Sequence, residues 1–156
     1  MSGTLKTRVA QFLAAHHVAT LASAGGDGPW AAAVFYVNDG NTLYFLSSPN
    51  TRHCRNLKDD PRVAATMQDD CRDWQDIKGV QLEGQVSELS GDEETQARHL
   101  YAAKYPLVGQ LARAPAAIVK ALARVRWYRL TPARLYFIDN SQAFGQRDEL
   151  DLQLND

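Results

Sequence analysis

From Val18 to Ser47 the chain reads as three extended segments in immediate succession, separated only by turns too short to carry a crossover. Val18-Ala19-Thr20-Leu21-Ala22-Ser23 is the first, and Ala24-Gly25-Gly26-Asp27-Gly28-Pro29 is a dense turn signal. Trp30 to Val37 is the second, and Asn38-Asp39-Gly40-Asn41 turns it into a third, Thr42 to Ser47. Parallel neighbours need a connection of roughly a dozen residues or more, so these three segments must run antiparallel, as a meander.

The rest of the chain extends that sheet and supplies helices to cover it. Val63 to Met67 is a fourth strand. In the fifth, Val80, Leu82, Gly84 and Val86 alternate with Gln81, Glu83, Gln85 and Ser87, the period of a half-buried strand. Val125 to Ile138 alternates again, with Thr131-Pro132 marking a bulge or corner before a final strand pair is complete. Leu5, Val9, Phe12 and Leu13 fall at helical spacing. A short helix is expected over about 51–58 with Asn50 as its N-cap, stopped by Asp59-Asp60-Pro61. Ser90-Gly91-Asp92-Glu93 reads as a capping box opening a helix whose apolar stripe is Ala97, Leu100, Tyr101 and Tyr105. Leu107 to Leu122 is helical and broken near Pro115, and the polar stretch Asp69 to Gln75 is a loop. The fold class is mainly β with flanking helices, and closure into a small barrel removes the exposed edges of such a sheet.

Charge and composition narrow the function. Lys and Arg number 17 against 18 Asp and Glu, giving a formal charge of −1, without the basic excess of a nucleic-acid binder. No apolar run reaches the length of a membrane helix, and Met1 to Ala15 has no secretory pattern, so the expected place is the cytoplasm, away from membranes. Cys54 and Cys71 form no disulfide framework. No metal site is expected: His16 and His17 point in different directions, and His53 and His99 are isolated. His16 is placed to interact with the C-terminal end of the first helix.

The sharpest local feature is Leu46-Ser47-Ser48-Pro49-Asn50-Thr51-Arg52-His53. A strand end feeding a helix start presents free backbone N–H groups, and the helix dipole favours an anion there. Ser47, Ser48 and Thr51 add hydroxyls, and Arg52 adds a planar guanidinium suited to phosphate. An ordinary capped helix with a surface arginine has the same sequence signature. No nucleophile elbow, Walker loop or G-x-G-x-x-G is present, and Trp30, Trp74 and Trp127 read as core or interface anchors.

The order of these pieces resembles the pyridoxamine 5′-phosphate oxidase-like split barrel, over about Leu5 to Arg147. Its carriers are Ala33-Val34-Phe35-Tyr36-Val37, Leu43-Tyr44-Phe45-Leu46-Ser47-Ser48, Thr51-Arg52-His53 and Asp60-Pro61-Arg62-Val63-Ala64. Lys78-Gly79-Val80-Gln81-Leu82-Glu83-Gly84 and Asp139-Asn140-Ser141-Gln142-Ala143-Phe144-Gly145 bring it nearest to the YhbP-like group. The resemblance implies a six-stranded antiparallel split barrel over residues 1–150 with a loose tail at 151–156, and a homodimer holding flavin mononucleotide (FMN) in clefts between subunits. It places Ser47, Ser48, Thr51, Arg52 and His53 at the phosphate, Ala33, Val34 and Phe35 beside the isoalloxazine, and Gln81 or Glu83 on the strand facing the cleft. Asn140, Phe144 and Trp127 would approach from the partner chain. The family's Arg-Lys is Arg52-His53 here, Gly79 stands where the oxidase has glutamine, and the arginine-rich C-terminal signature for the pyridoxal substrate is absent. The implied activity is an FMN-dependent oxidoreductase of unknown small-molecule substrate. The alternative is a non-enzymatic module binding flavin, haem or another planar ligand in the same cleft, with His53 or Cys54 the only candidates for a haem axial ligand.

Overall fold

The computed structural model describes residues 3–153. Its strands are β1 (Val18–Gly25), β2 (Gly28–Asp39), β3 (Thr42–Ser47), β4 (Arg62–Gln68), β5 (Lys78–Glu88), β6 (Arg126–Asp139) and β7 (Arg147–Leu150). The helices are α1 (Leu5–Ala15), α2 (Arg52–Asp59), α3 (Gly91–Lys104), α4 (Pro106–Gly109) and α5 (Ala116–Leu122). The strands lie in the order β3-β2-β1-β4-β5-β6-β7, all neighbours antiparallel, and β3 also pairs with β6. That last pairing closes β1 to β6 into a six-stranded barrel, with β7 added at one edge. No helix among the described residues is long and apolar enough to cross a membrane.

The expected meander is present, and its turns are tighter than the sequence pattern indicates. Gly25 pairs with Gly28, leaving Gly26-Asp27 as the turn, and Asp39 pairs with Thr42 across Gly40-Asn41. Gly40 sits at φ 56°, in the left-handed region that such a turn demands.

The expected final strand pair is instead one continuous strand, β6. Along one side it pairs with β5 from end to end, and on the other it pairs first with β3 and then with β7. A bulge lets it serve both: Glu83 faces Arg134 and Gly84 faces Pro132, so Ala133 has no opposite number. β7 carries no sequence signal because only four residues, Arg147-Asp148-Glu149-Leu150, make it, and three are charged.

Two cores result. The larger fills the barrel and takes in Val9, Phe12 and Leu13 of α1 together with Leu21, Tyr36 and Phe137. The smaller lies between β2, β3, β6 and α3 and contains Val37, Tyr44, Leu89, Ala97, Tyr101 and Trp127. Each large side chain buried in this way contributes about 1.5–3 kcal/mol of transfer free energy. Leu152, in the segment expected to be loose, packs against the larger core, while positions 154–156 of that segment lie outside the described residues.

Two capping expectations change. Thr51, not Asn50, caps α2: its hydroxyl accepts from the Cys54 N–H at 3.4 Å and donates to the Ser48 carbonyl at 2.8 Å. Ser90 caps α3 by position, but its side chain makes no capping bond, and Glu93 pairs with Arg129 of β6 instead of reaching back. A charge pair across elements has displaced the local reciprocal bond.

Candidate functional site

The turn between β3 and α2 is built from the side chains that the sequence marks. Ser47 Oγ lies 2.7 Å from His53 Nε2, and Thr51 Oγ1 lies 3.3 Å from the same nitrogen. The His53 ring is buried, so Ser47 and Thr51 are spent on fixing the turn. Ser48 Oγ makes no hydrogen bond among the described residues. Asn56, one turn further along α2, donates to Ser23 Oγ at 3.2 Å and so docks the helix on β1. Gly25 permits this approach, since a Cβ there would stand 2.1 Å from Asn56 Oδ1.

Arg52 reaches away from this network. Its guanidinium stacks on Trp30 at 4.4 Å from the ring centroid and donates through Nη2 to the Asp27 carbonyl at 3.2 Å. Its Nε is buried and has no hydrogen-bond partner. A guanidinium held over an indole with one of its five N–H groups engaged retains donors for an oxyanion. Trp30 is the residue that sequence reasoning missed here. The signal was a tryptophan at the first position of a strand directly after a Gly-Pro turn.

A separate open sheet face runs along the outside of the barrel, on the side of the sheet opposite to Trp30, which pairs with buried Ser23. Register sets Ala31 against Ala22, Ala22 against Ala64 and Ala64 against Glu83 in one cross-strand row. The next row is Ala33, Thr20, Thr66 and Gln81, and Phe35 faces Val18 beyond it. Paired residues point to the same side of a sheet, so the predicted Ala33, Phe35 and Gln81 share one surface. Alanine and threonine make that surface shallow, and Phe35, 56% exposed, closes its far end. Val34 has the opposite orientation and packs in the barrel core, so its side chain is absent from this face.

Asn140 and Phe144 occupy the other end of the molecule. Asn140 Nδ2 donates to the Trp74 carbonyl at 2.8 Å, and its Oδ1 accepts from the Gly145 N–H at 3.1 Å. These bonds hold Trp74 and Phe144 stacked, ring centroids 5.9 Å apart, although they are 71% and 69% exposed. The β4–β5 loop that carries Trp74 starts at Asp69, which pairs with His16 just before β1. Arg52 lies at the opposite end of β1, a strand length of about 23 Å away, so this aromatic pair and Arg52 of one chain do not meet. Trp127 must be removed from the set facing a partner. It is 2% exposed, under α3 and edge-on to Tyr101, because its strand position faces the second core.

Cys54 has a distinct chemistry. Burial opposes its ionisation, but hydrogen bonds from His53, Thr51, Tyr128 and Ser47 outweigh that and bring the thiol down to about 7. Cys54 and Tyr128 line a cavity of about 660 Å³ on the reverse side of α2, rimmed by Arg55, Lys58 and Arg126. In a Cys71→Ser variant, the ultraviolet thiolate band should appear with a midpoint near 7, and Tyr128→Phe should move that midpoint upward. A thiolate that appears only well into the alkaline range would contradict the hydrogen-bonded arrangement. No group of three His, Cys, Asp or Glu side chains among the described residues could hold a metal ion.

Known proteins share this architecture. The family model for pyridoxamine 5′-phosphate oxidase matches residues 5–139. A UPF0306 protein of Klebsiella pneumoniae is 31% identical over 141 residues, covering 89% of this chain and 88% of that protein. Among solved structures, a heme binding protein from Mycobacterium smegmatis superposes with a TM-score of 0.73 at 24% identity over 96% of this chain. This chain spans 59% of that protein's length. HutZ, the heme storage protein of Vibrio cholerae, gives 0.66 at 19% identity, covering 85% of this chain and 94% of that one. At such identities the two structures establish the fold alone, whereas the family match and the Klebsiella relative reach further: the chain belongs to the pyridoxamine 5′-phosphate oxidase family, in its UPF0306 (YhbP-like) group.

Proposed function

We propose that this protein binds FMN in a cleft between two copies of itself and works as a flavin-dependent oxidoreductase on a small molecule. The observation that carries the reading is Arg52, held over Trp30 with an unpartnered buried Nε, at the end of the barrel marked by the β1–β2 turn. Arg52 and the Ser48 hydroxyl would hold the phosphate, and the small side chains of Ala31 and Ala33 would let a flat ring lie against the sheet. Ser47, Thr51 and His53 act one step behind, by fixing the turn that aims Arg52.

The same face supports the dimer. Exposed Val18, Ala22, Ala31, Ala33 and Phe35 form a flat apolar strip of the kind that subunits cover. A two-fold axis on the strip would bring the far end of one chain to the near end of the other. Trp74 and Phe144 of a partner would then stand near Arg52, where their own chain cannot place them.

FMN, when bound, supplies hydride chemistry, and the protein supplies position and access. Arg52→Ala should weaken FMN binding by about 1.5–3 kcal/mol, the scale of a hydrogen bond to a charged group. Fluorescence titration of FMN checks this, and unchanged affinity would remove Arg52 from the phosphate site.

A second reading has its own observation. Cys54, with its lowered thiol pKa, lines a cavity of about 660 Å³, and a thiolate is a haem ligand. Titration with hemin separates the two: a thiolate-type Soret band lost in Cys54→Ala favours haem, and flavin quenching lost in Arg52→Ala favours FMN.

A further inference from the structure

The second core has an opening that the proposed flavin face does not use. Between α3, α5 and β6 lies a cavity of about 260 Å³ walled by Val108, Val119, Leu122, Val125 and Trp127, with Arg98 at its lip. An apolar void of about 150 Å³ already holds a benzene molecule. Within this apolar wall stands one polar atom without a partner: Trp127 Nε1–H, on a residue 2% exposed, finds no acceptor among the described residues. A buried donor left unpaired is costly, and an acceptor brought into the cavity would relieve it.

Arg98 gives the acceptor its charge. Its guanidinium carbon lies 5.1 Å from the Trp127 ring centroid, so indole and cation bear on the same volume. Its ion pair with Glu94, at 3.5 Å between two solvent-reached side chains, is a weak i,i+4 contact that a better anion can replace. The cap over the cavity is also lightly held. No residue of α4 or α5 is fully buried, so this cover can shift to admit a ligand to Nε1, which is shut off from solvent as the walls stand.

We propose that this cavity binds a medium-chain carboxylate, its tail among Val108, Val119, Leu122 and Val125 and its head shared between Arg98 and Trp127 Nε1–H. An apolar chamber with a cation and a single N–H donor at one side fits an amphiphilic monoanion. It does not fit a phosphate ester, which brings more charge than one arginine can meet, or an amine, which the arginine repels. The site lies against α3, on different elements from the sheet face assigned to flavin, and it does not depend on that assignment.

Sodium octanoate is the probe, and the indole N–H resonances of the isotope-labelled full chain are the readout. The chain has three tryptophans, so exposed Trp30→Phe and Trp74→Phe variants identify the Trp127 signal by elimination. Octanoate should move that signal downfield and saturate. Arg98→Met should weaken the effect about tenfold, as loss of a charged hydrogen bond does. Val119→Trp, at an exposed position, should fill the chamber and abolish it. The proposal fails if the Trp127 signal ignores millimolar octanoate. It fails equally if octylamine moves the signal as far, or if Arg98→Met binds octanoate as tightly as the parent.

Discussion

Gly84→Ala should unfold roughly 6–12 °C below the parent protein, a loss of about 3 kcal/mol at this chain length. The reason is local and severe. A Cβ at position 84 would stand 2.2 Å from the Thr131 carbonyl oxygen and 2.9 Å from Pro132 Cα, both main-chain atoms that cannot rotate aside. Gly84 faces the bulge in β6, where Ala133 is inserted and the strand turns from its β3 pairing to its β7 pairing. Relief therefore requires moving β6 itself, and with it the closure of the barrel. Gly26→Ala is the matched control: a Cβ there meets nothing within 4 Å, and Gly26 is not at positive φ. Thermal melts of the two variants should differ by nearly the whole effect. Equal melting temperatures would mean that the bulge yields freely.

Asp139→Ala should cost about 3 kcal/mol, the lower end of the range for breaking a buried ion pair, because Arg8 keeps some contact with water. Asp139 is 8% exposed at the end of β6 and accepts from Arg8 Nη2 of α1 at 2.8 Å. Lys78 stands at 3.8 Å, and Ser141 donates through both its N–H and its hydroxyl. Removing the carboxylate strands Arg8 over Phe137 and frees the loop that follows β6. The pH dependence has a definite sign. Burial pushes the Asp139 carboxyl up, but the Ser141 bonds with Lys78 and Arg8 outweigh it and hold the group below its ordinary value. A carboxyl depressed in the folded state stabilises fully above its unfolded pKa, about 3.9, and that contribution is lost as pH falls through the folded value. Denaturant midpoints of the parent should therefore fall in acid, and the gap between parent and Asp139→Asn should narrow there. A gap that stays constant down to the acid limit would assign the loss to packing alone.

Much of the fold could be read from the chain because local signals agreed with each other. Alternation in Val80 to Val86, short turns at Gly26-Asp27 and Gly40-Asn41, and the helical stripe of Leu5 to Leu13 each point to one answer. β7 escaped because its four residues are mostly charged and owe their extension to the free edge of β6. The site was legible only where it is local. The turn from Ser47 to His53 carries the residue types that the proposed anion site needs, yet the placing of Arg52 depends on Trp30, whose approach follows from β1–β2 pairing. Trp127, read from its residue type as a core or interface anchor, was placed at a partner only by the resemblance, which carries over a strand position and not what covers it in this chain. α3, far from β6 in the sequence, decides it. Trp74 and Phe144, about 70 residues apart, are brought together where β5 pairs with β6, and Asn140 ties their two loops.

The ring is sealed by β3 and β6, whose paired residues, Leu46 and Trp127 among them, stand about 80 positions apart. Such a contact must overcome the entropy of a long loop before it returns any free energy, and in that respect this chain resembles slow all-β folders more than helical ones. A ribosome releases β3 well before β6, so the growing sheet presents two unsatisfied main-chain edges, β3 and then β5, until the late strand arrives to cover both. The interval between those two events is when the chain is most open to pairing with a neighbour, and crowded or hot expression should exact its losses then.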